Sequence, residues 1–130
     1  MPPARPSELE SQILAVLWER GPSVVRDVQE ALSDGRQRAY TTVLTTLQIM
    51  ERKGLVTHDR EGQAHVYRPL VTRDQVAQPV VQTLVRNLFG GDATRAVQAL
   101  LDSSDLSAAE LKEIRRMINE AARDRKADGP

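Results

Sequence analysis

Residues 40–69, YTTVLTTLQIMERKGLVTHDREGQAHVYRP, change their apolar period partway along. As far as Lys53, Val43, Leu47 and Met50 recur at helical spacing, and Gly54 ends the run. Beyond it, Leu55-Val56-Thr57-His58 and His65-Val66-Tyr67-Arg68 read as two short strands around Glu61-Gly62-Gln63, a hairpin with glycine at its turn. Pro69 closes the second strand, where a missing N–H costs least. Upstream, Ser7 and Glu10 form a capping box that opens a first helix carrying Leu9, Ile13, Val16, Leu17 and Trp18. Gly21-Pro22 stops it. A second helix places Val25, Val28 and Leu32 on one side and ends at Ser33-Asp34-Gly35. Three short helices followed by a hairpin is the order of a winged helix-turn-helix domain, expected here over residues 1–70.

Downstream, residues 71–130 read as helical throughout, which makes the chain mainly α with a small β component, an α+β class. Thr72 and Gln75 form a second capping box, ahead of Val76, Val80, Leu84 and Leu88 with Val81, Val85 and Phe89 beside them. Pro79 should kink or restart this helix, because it removes a backbone donor. Gly90-Gly91 ends it, and Asp92 caps a helix carrying Ala96, Val97, Leu100 and Leu101. Ser107 with Glu110 opens a last helix with Leu111, Ile114, Met117, Ile118 and Ala121, and Arg123 to Pro130 is expected to fray. The apolar stripes of this region are wider than one core-facing surface needs, so a second copy of the chain is expected to cover them. The residues expected at that dimer interface are Val80, Leu84, Leu88, Phe89, Val97, Leu101, Leu111, Ile114 and Ile118.

Composition narrows the function. The chain has 130 residues, no Cys, two His, and equal numbers of basic and acidic residues at 18 each. That excludes a disulfide framework, a thiolate metal site and a cysteine nucleophile. The two His, both in the hairpin, do not close a zinc site, so no metal or cofactor is expected. No apolar run is long enough for a membrane span, and a cytoplasmic location is expected. Charge is unevenly distributed. Residues 1–35 hold three basic and six acidic side chains, whereas residues 36–68 hold six basic and three acidic ones. A molecule neutral overall can thus present one basic face to phosphates.

On a helical wheel, the face of the third helix opposite Val43, Leu47 and Met50 carries Thr41, Thr45, Gln48 and Arg52, with Thr42 and Ile49 at the shoulder. Threonine is a mediocre helix former, and a plain solvated surface would favour Glu, Lys or Gln. Threonine hydroxyls meet donors or acceptors on base edges, their methyls touch thymine methyls, and Gln brackets an adenine. Arg38, Arg52 and Lys53 would sit near phosphates and position the helix. In the hairpin, Arg60 lies near the turn, flanked by His58, His65 and Arg68, so the hairpin reads as a wing reaching the DNA backbone or a minor groove. Double-stranded DNA is therefore the expected partner, together with a second copy of the chain.

The same residues resemble the penicillinase repressor (BlaI/MecI/CopY) family. Ala39-Tyr40-Thr41-Thr42-Val43-Leu44-Thr45-Thr46-Leu47 with Met50-Glu51-Arg52-Lys53-Gly54-Leu55-Val56 is similar to its recognition-helix signature. Glu10, Ile13-Leu14, Leu17-Trp18 and Gly21 resemble its first helix, and Tyr67 with Pro69 the end of its wing. Leu88-Phe89-Gly90-Gly91 and Leu106-Ser107 with Glu110-Leu111 resemble its dimerisation region, expected here over residues 71–130. The resemblance implies a homodimeric transcriptional repressor on an inverted-repeat operator of TACA/TGTA type, with Thr41, Thr42 and Thr45 in base-reading positions. It also implies a sensor metalloprotease that relieves repression by cutting the C-terminal region in response to a β-lactam. Where better-known members have an Asn-Phe bond, this chain reads Ala99-Leu100, and where their wing often reads Gly-Arg it reads Gly62-Gln63. The alternative is a winged helix that docks a protein, which would require apolar anchors on the exposed face of the third helix. Only Ile49 and Leu44 qualify there. An enzyme is disfavoured, since no nucleophile, base and carboxylate set comes together.

Overall fold

The computed structural model describes residues 5–32 and 37–128. Its elements run α1 (Glu8–Arg20), β1 (Ser23–Val24), α2 (Val25–Ala31), α3 (Tyr40–Arg52), β2 (Val56–Glu61), β3 (Ala64–Pro69), α4 (Arg73–Leu88), α5 (Ala93–Ser103) and α6 (Ala108–Asp128). The three expected N-terminal helices and the hairpin are all present. The expected stop of the second helix at Ser33-Asp34-Gly35 lies outside the described residues.

Each of the three capping boxes forms. Ser7 Oγ accepts from the Glu10 amide at 3.2 Å, while the Glu10 carboxylate accepts from the Ser7 amide at 2.7 Å. The Thr72–Gln75 and Ser107–Glu110 pairs repeat this reciprocal geometry at the starts of α4 and α6. Asp92 caps α5 by accepting from the amides of Thr94 and Arg95. These bonds satisfy backbone donors that a helix start otherwise leaves open.

The sheet has three strands in the order β1-β3-β2, all antiparallel. β1 was not legible in the sequence, because two residues leave no period to detect. It pairs Ser23 with Tyr67 and Val24 with Val66, tying the start of α2 to the wing. The hairpin strands are longer than expected, in register from Val56 opposite Pro69 to Glu61 opposite Ala64, which leaves Gly62-Gln63 as a two-residue turn. Gly62 has φ +60°, and no non-glycine among the described residues has positive φ. That combination is a type II′ turn, whose twist matches a hairpin and whose first central position favours glycine.

One core closes these elements together. Ile13, Leu14 and Leu17 of α1, Val28 of α2, Val43, Leu47 and Met50 of α3, and Leu55, Val56 and Tyr67 around the sheet are all essentially solvent-free. Leu9, Trp18, Leu32, Leu44, Val71 and Val76 pack against this cluster. Trp18 also fastens the start of the tail: its Nε1–H donates to the Val71 carbonyl at 2.8 Å, and the Arg73 guanidinium lies over its ring at 5.4 Å.

The chain divides into two units, Met1–Thr83 and Leu84–Pro130. The division therefore falls inside α4, beyond the expected boundary at residue 70, because Val71 and Val76 pack on the first core. α4 is continuous through Pro79 and does not restart there. α6 continues to Asp128 where fraying was expected from Arg123. Its last turns hold good helix formers, and Arg125 and Lys126 complement the negative end of the helix dipole. No side chain of α4 or α5 is buried.

Candidate nucleic-acid interface

α3 orients the site because its two faces have different fates. Val43, Leu47 and Met50 are fully buried, so the opposite side must face outward. Thr41, Thr42, Thr45, Gln48 and Arg52 are all exposed, and Ile49 is half-buried. The fourth threonine behaves differently. Thr46 is half-buried, and its hydroxyl donates to the Thr42 carbonyl at 2.7 Å, a bond back to the helix one turn earlier. The hydroxyls of Thr41, Thr42 and Thr45 meet no partner among the described residues, which leaves both their donor and acceptor capacity for a ligand.

The basic residues divide in the same way. Arg52, in the last turn of α3, is exposed. Lys53, expected beside phosphates, directs its ammonium to the Glu10 carboxylate, with Nζ 2.8 and 3.0 Å from the two oxygens. Glu10 is 2 % exposed. Burial pushes its pKa up, but the bonds from Lys53 and from the Ser7 amide outweigh it and hold the carboxyl below its ordinary value. Sequence reading found Glu10 as a capping residue and missed it as a buried counter-ion, since a capping box does not reveal how deep its helix start lies. A phosphate at Lys53 would compete with this pair. Arg38, just ahead of α3, is half-buried and presents its carbonyl to Gln29 Nε2 at 2.8 Å, which sets the approach of the chain into the helix.

The wing stands beside α3. Arg60 is exposed near its turn. Arg68 is held by Asp59 across the hairpin at 2.9 Å, which leaves less of its charge free. His58 and His65 stack with ring centroids 4.5 Å apart, and His58 Nδ1 lies 2.7 Å from a Glu51 carboxylate oxygen. An ionised carboxylate only accepts, so the Nδ1 proton of His58 makes this bond. The bond ties β2 to the C-terminal turn of α3 and sets the angle between wing and helix. Glu51 was read only as part of a motif, and its role as the wing's anchor appears only in three dimensions. Among the described residues, no group of three His, Cys, Asp or Glu is placed to hold a metal ion, and no helix is long and apolar enough to cross a membrane.

The residues expected at a dimer interface lie on α4, α5 and α6. Leu84, Leu88, Val97, Leu101, Leu111 and Ile118 are exposed, Leu88 to 75 %. Val80, Phe89 and Ile114 are half-buried.

Comparison with known proteins bears on the whole arrangement. The penicillinase repressor family model matches residues 6–120. The transcriptional regulator BlaI of Mycobacterium tuberculosis is 37% identical over 118 residues, spanning 89% of this chain and 84% of that protein. The penicillinase repressor of Bacillus licheniformis is 23% identical over 114 residues, 88% of this chain and 89% of its own. Among solved structures, the DNA binding domain of the repressor BlaI aligns with a TM-score of 0.50 at 25% identity, over 58% of this chain and 90% of that one. A MarR family protein from Bacillus stearothermophilus aligns with a TM-score of 0.53 at 19% identity, over 93% of this chain and 76% of that one, a likeness of fold.

Proposed function

The chain belongs to the penicillinase repressor family, and from that premise we propose that it represses transcription as a homodimer on an inverted-repeat operator. It is a DNA-binding regulator and not an enzyme. The observation that carries the reading is the outward row Thr41, Thr42 and Thr45 on a helix whose other face is locked into the core. The locked face fixes the reading face, so the hydroxyls enter a major groove already oriented. Arg52 and Arg60 then supply charge at the helix end and at the wing. Arg38 and Lys53 complete the proposed DNA-facing set with Gln48.

The homodimer is supported by the apolar side chains that α4 to α6 leave in solvent, among them Leu84, Leu88, Leu100 and Ile118. DNA as partner implies work in the cytoplasm. Relief of repression by a sensor metalloprotease is part of the same reading, and Leu100 of α5, at the position implied for cleavage, is 63 % exposed. A protein-docking role is disfavoured because Leu44 packs on the core and Ile49 is half-buried, which leaves the exposed Tyr40, with its polar hydroxyl, at the very start of α3 instead of an apolar row along it.

Selection of duplexes from a random DNA pool tests the proposal. A palindromic winner is expected, bound with an affinity that falls steeply with salt, by a log–log slope of about −0.9 per neutralised phosphate. Recovery of no enriched sequence would overturn it.

A further inference from the structure

The chain has two histidines, and the fold brings them into contact. His58 of β2 and His65 of β3 stack with ring centroids 4.5 Å apart and planes inclined by 21°. His58 Nδ1 bonds to the Glu51 carboxylate at 2.7 Å, and its ring meets that of Tyr67 at 5.3 Å. Histidine is the side chain whose ordinary charge change falls between pH 5 and 8, and the chain has no Cys. Apart from the terminal amine, the groups that ordinarily titrate near neutrality are therefore gathered at the joint between α3 and the wing.

The charges facing this stack are unequal. From α3, Glu51 supplies a carboxylate, and Arg52 lines the same depression. Arg60 of β2 lies directly opposite His65 in the hairpin register, on the same face. Arg26 of α2 and Tyr40 of α3 line a hollow that His65 borders. Tyr67, whose phenol is pushed above its ordinary value by burial and by the Glu51 charge, stays neutral. Asp59, Glu61 and Arg68 alternate onto the opposite face of the hairpin, where Asp59 and Arg68 pair. A positive charge on His58 is thus offset by Glu51. A second one on His65 would stand face to face with the first, among the guanidinium groups of Arg26, Arg52 and Arg60. No further carboxylate among the described residues lines either hollow.

We infer that a bound duplex supplies the missing negative charge, so that operator binding takes up about one proton per half-site at the His58–His65 stack and tightens as pH falls from 8 to 5.5. The inference rests on the DNA-binding reading above. His65 is exposed on the wing, so phosphate charge brought by the duplex reaches the stack from its open side. The coupling is reciprocal: a polyanion that favours the protonated stack is favoured by it. Protons held only in the complex raise affinity on acidification, and the gain levels off where the free chain holds them too.

The test uses the full chain and the duplex recovered from the random-pool selection. Titrated at fixed ionic strength from pH 8 to pH 5.5, affinity should rise about ten-fold per half-site. Calorimetry near pH 6.5, in two buffers of different protonation enthalpy, should report the proton uptake directly. That uptake should vanish in His65→Gln, and the thermal midpoint should be kept because the side chain is exposed. Two histidines give two imidazole Hε1 signals, so proton NMR follows each ring. The His65 signal, identified by its absence in His65→Gln, should titrate at higher pH in the complex than in the free chain. An affinity that is flat or falls on acidification, an uptake that survives in His65→Gln, or a His65 signal that titrates alike in both states overturns the coupling and leaves DNA binding intact. Failure of the wild-type chain to select any duplex overturns both.

Discussion

Thr45 and Arg52 lie on one exposed face of α3 and should nevertheless fail differently. A side chain that touches base edges changes which sequence is preferred, whereas a cation beside phosphates changes affinity for all sequences. Thr45→Ala is expected to alter discrimination at one base pair by about 1–3 kcal/mol. Arg52→Ala should weaken all duplexes alike and reduce the salt slope by about one unit. Titration of both variants against the selected operator and single-base substitutions of it separates the two roles. Lys53 adds a pH dependence through Glu10. Because their pairing holds the Glu10 carboxyl below its ordinary 4.5, its contribution to stability is complete above that pH and is lost as pH falls through the depressed folded value. Urea midpoints of the wild type and Glu10→Gln should therefore differ most near neutrality and converge on acidification. A constant gap across the carboxylate range would mean that the pair carries no such linkage. The threonine row was legible from the sequence because period and propensity disagreed there. The Glu10–Lys53 bond was not, since 43 positions separate its partners and only packing brings them together.

At the scale of elements, the wing shows how much a pattern can and cannot reveal. Alternation and a central glycine were enough to find the hairpin. Its anchoring depends on Glu51 of α3, the short strand β1 and the His58–His65 stack, all of which are contacts across elements. Gly62, at φ +60°, holds the two-residue turn. Gly62→Ala should cost about 1–3 kcal/mol, because the positive φ of the first central position of a type II′ turn is one that an L side chain rarely adopts. Thermal unfolding with operator titration checks this, and the loss should appear in the wing's contribution to affinity while base preference at the α3 positions is kept. The tail has a similar fastening. Trp18 secures the residues leading into α4, and Trp18→Phe keeps an aromatic ring but removes the donor to Val71 together with part of the packed indole, at a cost of about 1 kcal/mol for the hydrogen bond alone. Amide exchange in the first turns of α4 should accelerate in that variant, while α5 and α6 are unchanged.

For the whole molecule, the two units differ in how their apolar surface is covered. The first gathers most of its large aliphatic side chains into one core, with Leu70 and Val81 left exposed; the second, from Leu84 onward, presents Leu88, Leu100, Met117 and Ile118 to solvent at half exposure or more. A helical stretch of this length with so little burial is not expected to be stable unless something covers it. A second copy is the cover proposed above, because the proposed inverted-repeat operator would need two reading helices at a fixed separation. The proposed dimer can be broken without touching the reader: Leu88→Asp with Ile118→Asp places charges in the stripes of α4 and α6, outside the unit that holds the Thr41 to Arg52 face. Sedimentation should then report a monomer at concentrations where the wild type is dimeric. Affinity for the full palindrome should fall by about 100-fold or more, since the second half-site is no longer bound intramolecularly. Affinity for an isolated half-site should stay at the wild-type monomer's level, and the circular dichroism of the first unit should be kept. A double variant that remains dimeric, or one that binds the palindrome as tightly as the wild type, would assign those side chains another cover than a second copy of the chain.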